Sequence, residues 1–163
     1  MNLIQKVANW VNGLTLTWNW NSSEYSESNQ VLTKGTSTDF KTFWSNEKIT
    51  KYVKGRQVTT SNIHAHIGVH GYFSTPNDYS DVVFTGGHNH TNNYRCYRLG
   101  APVYTGSTMT AGDIYELRID SGSYEFYVNG VLLYTGLTLD YAEYRAAGFS
   151  YILNTEIEIT DAQ

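Results

Sequence analysis

Residues 112–135 read GDIYELRIDSGSYEFYVNGVLLYT, and this segment specifies a β-meander. Apolar and polar side chains alternate along residues 113–119, as in a half-buried strand. Asn129-Gly130 suits a type I′ hairpin turn, because that turn needs positive φ at both central residues. With a second turn at Ser121-Gly122, the segment predicts three antiparallel strands over Asp113–Ile119, Tyr124–Val128 and Val131–Tyr134.

Working outward, most of the chain repeats this period of two. Ile63, Ala65, Ile67 and Val69 alternate with His64, His66 and His70. A last strand is predicted from Ile152 to Ile159, with Glu156 and Glu158 on the outer face of an edge strand. Around ten short strands with turns every 8–12 residues are typical of a sandwich or barrel. We therefore predict that residues 14–163 form an all-β antiparallel sandwich of the jelly-roll type.

The first thirteen residues differ from the rest. Their apolar side chains at Ile4, Val7 and Val11, continued by Leu14, have helical spacing, and Gly13 suits the end of a helix. The pattern predicts a short helix over residues 1–13. It either docks on its own domain or forms a seam between copies of the chain. The seam interpretation predicts a homotrimer.

Composition excludes several classes of protein. The sequence has no apolar run of 18 residues, so we expect no membrane insertion. A net charge of −4 and a pI near 5.7 argue against nucleic-acid binding. Cys96 is the single cysteine, which excludes an intrachain disulfide and a thiolate metal cluster. The first fifteen residues show no secretory signal peptide.

The meander resembles the late hairpins of concanavalin A-like lectin and glucanase domains. There a Gly-Asp strand start, here Gly112-Asp113, is followed by a Phe-Tyr-x-Asn-Gly hairpin, here residues 126–130. Ala147-Gly148-Phe149 and Ile157 to Asp161 are similar to the next two strands. The resemblance covers roughly the last fifty residues and implies a concanavalin A-like sandwich.

The histidines offer a metal site. His64 and His66, and again His88 and His90, are two apart, so the two side chains of each pair share a face if they lie in a strand. Residues 86–90 also resemble the G-x-H-x-H motif of phage long tail-fibre shafts, where His pairs from three chains surround an iron. The other interpretation places His64, His66 and His70 on a solvated strand face, and His88 and His90 in a polar loop. A transition metal at His64, His66, His88 or His90 is the only cofactor that the sequence suggests.

Catalytic patterns are weak. Glucanases of the resembling superfamily carry closely spaced acids on one strand face, and the nearest candidates here are Glu156 and Glu158. A nucleophile elbow, a P-loop and a Rossmann fingerprint are absent from the sequence. We therefore expect no enzymatic activity and name no catalytic residue.

Sugar-binding patterns are stronger, because sugars suit aromatic platforms beside amide, carboxylate, imidazole and guanidinium groups. One candidate region centres on Trp18 and Trp20, one of which we expect to pack into the core. The other runs from Asp78 to Arg95 and is favoured because loops on a rigid scaffold often carry function. The predicted ligand-binding residues are Trp18, Trp20, Asp78, Tyr79, Asp81, His88, Asn89, His90, Asn92, Tyr94 and Arg95.

These patterns predict a lectin-like domain that binds a cell-surface glycan without cleaving it. We expect it to form the receptor-binding tip of a phage-like tail fibre or an adhesin, placed on a virion or at a cell surface. Two alternatives come from other classes: a glucanase-type glycoside hydrolase, and a structural virion or interaction domain that binds protein.

Overall fold

The computed structural model consists entirely of β-strands and their connections in the residues that it describes. No helix among these residues is long and apolar enough to cross a membrane. The expected helix over residues 1–13 lies outside them, so the helix and its trimer seam stay predictions. The described residues are 16–19, 25–28, 31–35, 41–58, 65–71, 82–88, 93–98, 101–119, 122–136, 143–150 and 152–163.

The described residues include fourteen strands, which form two antiparallel sheets of seven strands each. The first sheet has the order β1-β4-β13-β6-β7-β8-β9. Its strands are β1 (Trp18–Asn19), β4 (Lys41–Ile49), β6 (Ala65–His70), β7 (Val82–His88), β8 (Asn93–Arg98), β9 (Ala101–Thr108) and β13 (Tyr144–Ser150).

The second sheet has the order β12-β11-β10-β5-β14-β3-β2. Its strands are β2 (Tyr25–Ser28), β3 (Val31–Lys34), β5 (Tyr52–Gln57), β10 (Ile114–Arg118), β11 (Tyr124–Val128), β12 (Val131–Gly136) and β14 (Glu156–Ala162). The predicted meander is present as β10, β11 and β12. The all-β antiparallel sandwich is therefore confirmed.

The core lies between the sheets and follows the strand alternation. Ala65, Ile67 and Val69 of β6 are all at most 1% exposed and face the second sheet. Aromatic rings join the sheets at three places: Tyr25 with Phe43 at 5.3 Å between centroids, Tyr94 with Tyr115 at 6.2 Å, and Tyr104 with Tyr134 at 6.0 Å.

The meander turn is of the predicted type. Asn129 and Gly130 have φ of 50° and 78°, the positive values that a type I′ turn needs. Asn129 also binds the start of β10, since its N–H donates to the Ile114 carbonyl at 2.9 Å and its Oδ1 accepts from the Ile114 N–H at 2.9 Å.

The Asp113 carboxylate joins this turn to the rest of the sandwich. It accepts hydrogen bonds from Asn129 Nδ2 and the Thr110 N–H, both at 2.8 Å, and from the Tyr94 hydroxyl. Tyr94 belongs to the first sheet, whereas Asp113 and Asn129 belong to the second. One carboxylate thus holds a hairpin turn, a strand start and both sheets together. We call these four residues the Asp113 clamp.

The clamp changes the acidity of its members. Burial acts to raise the pKa of Asp113, but hydrogen bonds from Tyr94, Asn129 and the Thr110 N–H outweigh it and leave the pKa below its usual value. Burial, followed by the hydrogen bond to Asp113, raises the pKa of Tyr94. Both shifts favour the same state, in which an ionised Asp113 accepts a hydrogen bond from the neutral Tyr94 phenol.

Two sequence predictions about strands were wrong. β14, which carries Glu156 and Glu158, lies between β5 and β3 and is not an edge strand. The alternation of Ile157 and Ile159 with polar residues fits an inner strand equally well, because one face of the second sheet is solvated. The interpretation that placed His88 in a polar loop was also wrong, because β7 continues through Gly86-Gly87 to His88, which pairs with Asn93 of β8.

Replacing Asp113 by Asn should lower the free energy of unfolding at pH 7 by about 1–2 kcal/mol, allowing for the partial exposure of the group. Because the folded-state pKa of Asp113 lies below its unfolded value, its contribution is complete above the ordinary carboxyl range. It is lost as the pH falls through the folded-state pKa. Urea unfolding of both proteins at several pH values should show the stability difference shrinking in acid. Glu125→Gln, on the outer face of the second sheet, is the control, and equal stabilities of Asp113→Asn and the parent at pH 7 would contradict the clamp.

Candidate functional site

The outer face of the first sheet, turned away from the core, carries a group of aromatic side chains. Ile67 of β6 faces the core, so its neighbour His66 faces outward. Phe149 of β13 pairs with His66, and Trp44 of β4 pairs with the adjacent outward residue Ala147. We define the aromatic face as Trp44, His66, Arg95, Tyr97 and Phe149.

The centre of this face is a fixed stack of rings. The His66 imidazole lies parallel to the Phe149 ring, with an interplanar angle of 1° and centroids 4.4 Å apart. The Tyr97 ring meets His66 edge-on at 5.5 Å. His66 and Phe149 are only 1% and 4% exposed. The stack is therefore shielded from solvent, and it fixes the half-buried rings of Trp44 and Tyr97 that pack against it.

Partly exposed rings and small residues border this stack. Trp44 and Tyr97 are each half-buried, so part of each ring remains available for contact. Gly68 follows His66 on the same face of β6 and is buried, and Gly86 pairs with His66 from β7.

Arg95 places a guanidinium beside these rings. It pairs with Gly86 and shares a face of β8 with Tyr97, whose hydroxyl lies 3.4 Å from Arg95 Nη1. Arg95 Nε is shielded from solvent and has no hydrogen-bond acceptor among the described residues. The side chain as a whole is half-buried. Arg95 therefore has hydrogen-bonding capacity that its described neighbours do not use.

Arg145 is also on this side of the sheet, but its guanidinium is occupied. It donates to the carbonyl of Asn46 and lies 3.5 Å from that of Ser45, at the irregularity between β4 and β13. Glu143 pairs with it at 3.9 Å and also with Lys48. Arg145 therefore stabilises the irregular strand pair.

Carboxylates are absent from the aromatic face as far as the structure describes it. Glu143 lies at the end of β13, and Glu47 accepts from the Thr17 N–H and hydroxyl, both at 2.7 Å, at the β1 edge. General acid–base hydrolysis of a glycoside needs two carboxyl groups flanking the bond. The described part of the face can instead stack against apolar surfaces and donate hydrogen bonds.

The outer face of the second sheet is a network of paired charges. Glu116 is 6% exposed and lies between Lys54, at 3.5 Å, and Arg118. Arg56 Nε donates to Glu158 at 2.7 Å. The Arg118 guanidinium also covers the Tyr127 ring at 4.2 Å. These charges neutralise one another, which favours a structural role for this face.

The structure describes only part of the predicted ligand site. Trp18 packs edge-on against Phe43 at 5.2 Å and contacts the core, and Tyr94 is a core residue that is 8% exposed. His88 is the last residue of β7 and pairs with Asn93. Arg95 is the predicted residue that joins the aromatic face. Outside the described residues lie Trp20, Asp78, Tyr79, Asp81, Asn89, His90 and Asn92, together with the proposed metal ligand His64.

The interpretation that His66 and His70 lie on a solvated strand face was wrong. His66 and His70 are 1% and 2% exposed, because the outer face of β6 is itself packed. Among the described residues, no three His, Cys, Asp or Glu side chains are placed to hold a metal ion. His66 packs against rings instead. Cys96 is fully buried and lies in the core.

The sequence interpretation missed the contribution of Trp44, Tyr97 and Phe149. Each lies in a different strand, and only the pairing of β4, β13 and β6, followed by β7 and β8, brings them together. A signal was present at Tyr97, which is two residues from Arg95 and therefore shares its face. The other two neighbours could not be read from local spacing.

No family model matches the chain, and no curated protein matches it. Solved structures do. The SPRY domain of human HERC1 has a TM-score of 0.62 at 21% identity, covering 89% of this chain and 99% of that domain. The carbohydrate-binding module CBM66 from Bacillus subtilis has a TM-score of 0.60 at 6% identity, covering 89% and 92%.

A prokaryotic β-1,3-1,4-glucanase (lichenase) derived from a mouse hindgut metagenome has a TM-score of 0.54 at 12% identity, covering 93% of this chain and 87% of that one. These likenesses extend over both sheets, whereas the sequence resemblance covered only the last third of the chain. The protein has the concanavalin A-like sandwich fold. At these identities the likeness defines the fold alone.

Tyr94→Ala should lower the free energy of unfolding by about 3–4 kcal/mol, because it removes a core ring and a clamp hydrogen bond. Tyr94→Phe keeps the ring and should cost about 1–2 kcal/mol. Chemical denaturation of both variants measures the two losses. Tyr97→Ala, in the same strand but half-exposed, is the control and should cost less than Tyr94→Ala. Equal losses for these two alanine variants would contradict the assignment of Tyr94 to the core.

Proposed function

We propose that the domain binds glycans without cleaving them, and that the aromatic face is its binding site. The observation that carries the proposal is the pair of half-buried rings, Trp44 and Tyr97, held by a buried stack of His66 on Phe149. On sequence grounds alone, we propose the tip of a phage-like fibre or an adhesin as its setting.

The chemistry of the face suits a saccharide. A pyranose has an apolar C–H face, which can lie on an aromatic ring, and a rim of hydroxyls, which need hydrogen-bond donors and acceptors. Trp44 and Tyr97 provide rings, and the Tyr97 hydroxyl and the Arg95 guanidinium provide polar groups at 3.4 Å from each other. Such a site orients a sugar without reacting with it.

The carboxylates support a non-catalytic role. Glu158, one of the two acids nearest to a hydrolase pattern, pairs with Arg56 on the outer face of the second sheet. Glu156 lies on the same strand, on the opposite side of the sandwich from the aromatic face. An ion-paired carboxylate outside the proposed site is poorly suited to attack or protonate a glycoside bound there.

The structural neighbours are compatible with this proposal and with its alternatives. One is named a carbohydrate-binding module and another a β-1,3-1,4-glucanase. A third neighbour, with the same sandwich fold, is an SPRY domain. The experiments below are therefore designed to distinguish a glycan-binding domain from a glycan-cleaving enzyme and from a protein-binding domain.

Trp44→Ala and Tyr97→Ala should each weaken glycan binding by about tenfold or more, the loss expected when one ring–sugar contact worth about 1.4 kcal/mol is removed. A glycan array identifies the ligand, and calorimetry measures its affinity for each variant. Tyr127→Ala removes a ring from the outer face of the second sheet and is the matched control. Thermal unfolding of each variant separates lost binding from lost fold. A purified domain that binds proteins of a target surface but no glycan would contradict the proposal.

The domain should release no reducing sugar from β-glucans or from any glycan that it binds. Chromatography of the products after prolonged incubation with micromolar protein measures this. Turnover that is abolished by Glu156→Gln or Glu158→Gln, with the fold intact, would establish the hydrolase alternative. Ser26→Ala, on the outer face of the same sheet, controls for non-specific effects of substitution.

A further inference from the structure

The arginines of the chain divide into two groups. Of the five, Arg56, Arg118 and Arg145 each pair with a carboxylate. Arg95 and Arg98 make no ion pair with a described residue, although acids outnumber bases in the chain by 15 to 11. Both belong to β8. The ion pairs of Arg56, Arg118 and Arg145 give these residues a structural role, whereas no ion pair with a described residue gives such a role to Arg95 or Arg98.

Arg98 and Arg95 have different surroundings. Arg98 lies near the core residue Tyr124. Burial raises the pKa of Tyr124 to about 12, and the positive charge of Arg98 partly opposes this rise. Arg95 is three residues earlier, so the strand alternation turns it to the opposite side, onto the aromatic face. Arg95 therefore places a formal positive charge beside the stacked rings.

The contacts of Arg95 leave one side of its guanidinium unused. Nη1 is directed to the Tyr97 hydroxyl at 3.4 Å, a long and weak contact. Nε is shielded from solvent and has no acceptor among the described residues, which is also true of Nε of Arg98 and Arg145. The side chain as a whole is half-buried, so the terminal Nη groups are the part of the guanidinium that a carboxylate or sulfate oxygen would reach.

We propose that the ligand is an acidic glycan, whose carboxylate or sulfate group is bound by Arg95 while its ring stacks on Trp44 or Tyr97. The inference rests on the proposed glycan binding and adds the chemical class of the sugar. Charge complementarity carries it, since the described part of the face has a cation and no carboxylate. The Tyr97 hydroxyl, next to Nη1, is placed to donate to the same anionic group.

The test compares saccharides that carry an acidic group with neutral counterparts that lack it. The probes are 3′-sialyllactose, 3′-sulfolactose and lactose, and separately glucuronic acid and glucose oligosaccharides of equal length. The parent protein should bind at least one acidic member about tenfold or more tightly than its neutral counterpart, the ratio expected for a charge-assisted hydrogen bond. The sialyl and uronic arms report a carboxylate preference, and the sulfo arm reports a sulfate preference.

Arg95→Gln should abolish the preference for the acidic member, and Arg98→Gln, the matched change of a β8 arginine on the other side of the strand, should retain it. Arg95→Lys keeps the charge but not the planar fork, and should retain a reduced preference. It also serves if Arg95→Gln fails to fold, because a reduced preference in a folded Lys variant still locates the site. Thermal midpoints establish that each variant is folded.

Three results would overturn the inference, and they differ in whether glycan binding is contradicted as well. Equal binding of acidic and neutral members, unaffected by Arg95→Gln, would contradict the acidic ligand and leave glycan binding intact. Absence of binding to every saccharide would contradict both proposals together. A preference for acidic sugars that Arg98→Gln abolishes and Arg95→Gln does not would also overturn the inference, because it would place the site on the other side of the strand.

Discussion

The carboxylate of Asp113 accepts the hydrogen bonds that link the two sheets of this sandwich at one point. It accepts hydrogen bonds from the β11–β12 turn, from the loop before β10, and from Tyr94 in the facing sheet. A single buried hydrogen bond contributes modestly to stability, but three donors on one anion fix three backbone segments at once. Tyr94 in turn fixes β8, and β8 carries Arg95 and Tyr97 on its opposite side. The outer face therefore depends on a contact at the core.

Local signals in the sequence were sufficient for the meander. Asn129-Gly130 dictates its turn, alternation sets the strand faces, and the Gly-Asp start implied the concanavalin A-like fold. Each of these signals depends on neighbours along the chain. The fold class followed from them because the same alternation recurs in most of the sequence. Strand order did not follow, since β14 shows the same alternation whether it lies at an edge or, as here, between β5 and β3.

The candidate face could be predicted only in part, and Arg95 and His66 illustrate the reason. Both were singled out, Arg95 for its donors and His66 for metal binding. The partners of His66 are Phe149, eighty-three residues later, and Tyr97, two strands away. Packing between such distant residues depends on pairing register, which local spacing does not contain. Tyr94 shows the same limit, because its polar surroundings in sequence gave no indication that its ring lies in the core.

The inner position of β14 also bears on how the sandwich assembles during synthesis. β14 follows the other described strands, yet it is the one that links β3 to β5. Gln163, just beyond it, accepts hydrogen bonds from the N–H groups of Lys51 at 2.7 Å and Thr50 at 3.0 Å. During synthesis, the edge of β3 that pairs with β14 stays open until residues 156–162 emerge. Such long-range closure makes folding slow, and a nascent chain halted before residue 156 would expose two unpaired strands to aggregation.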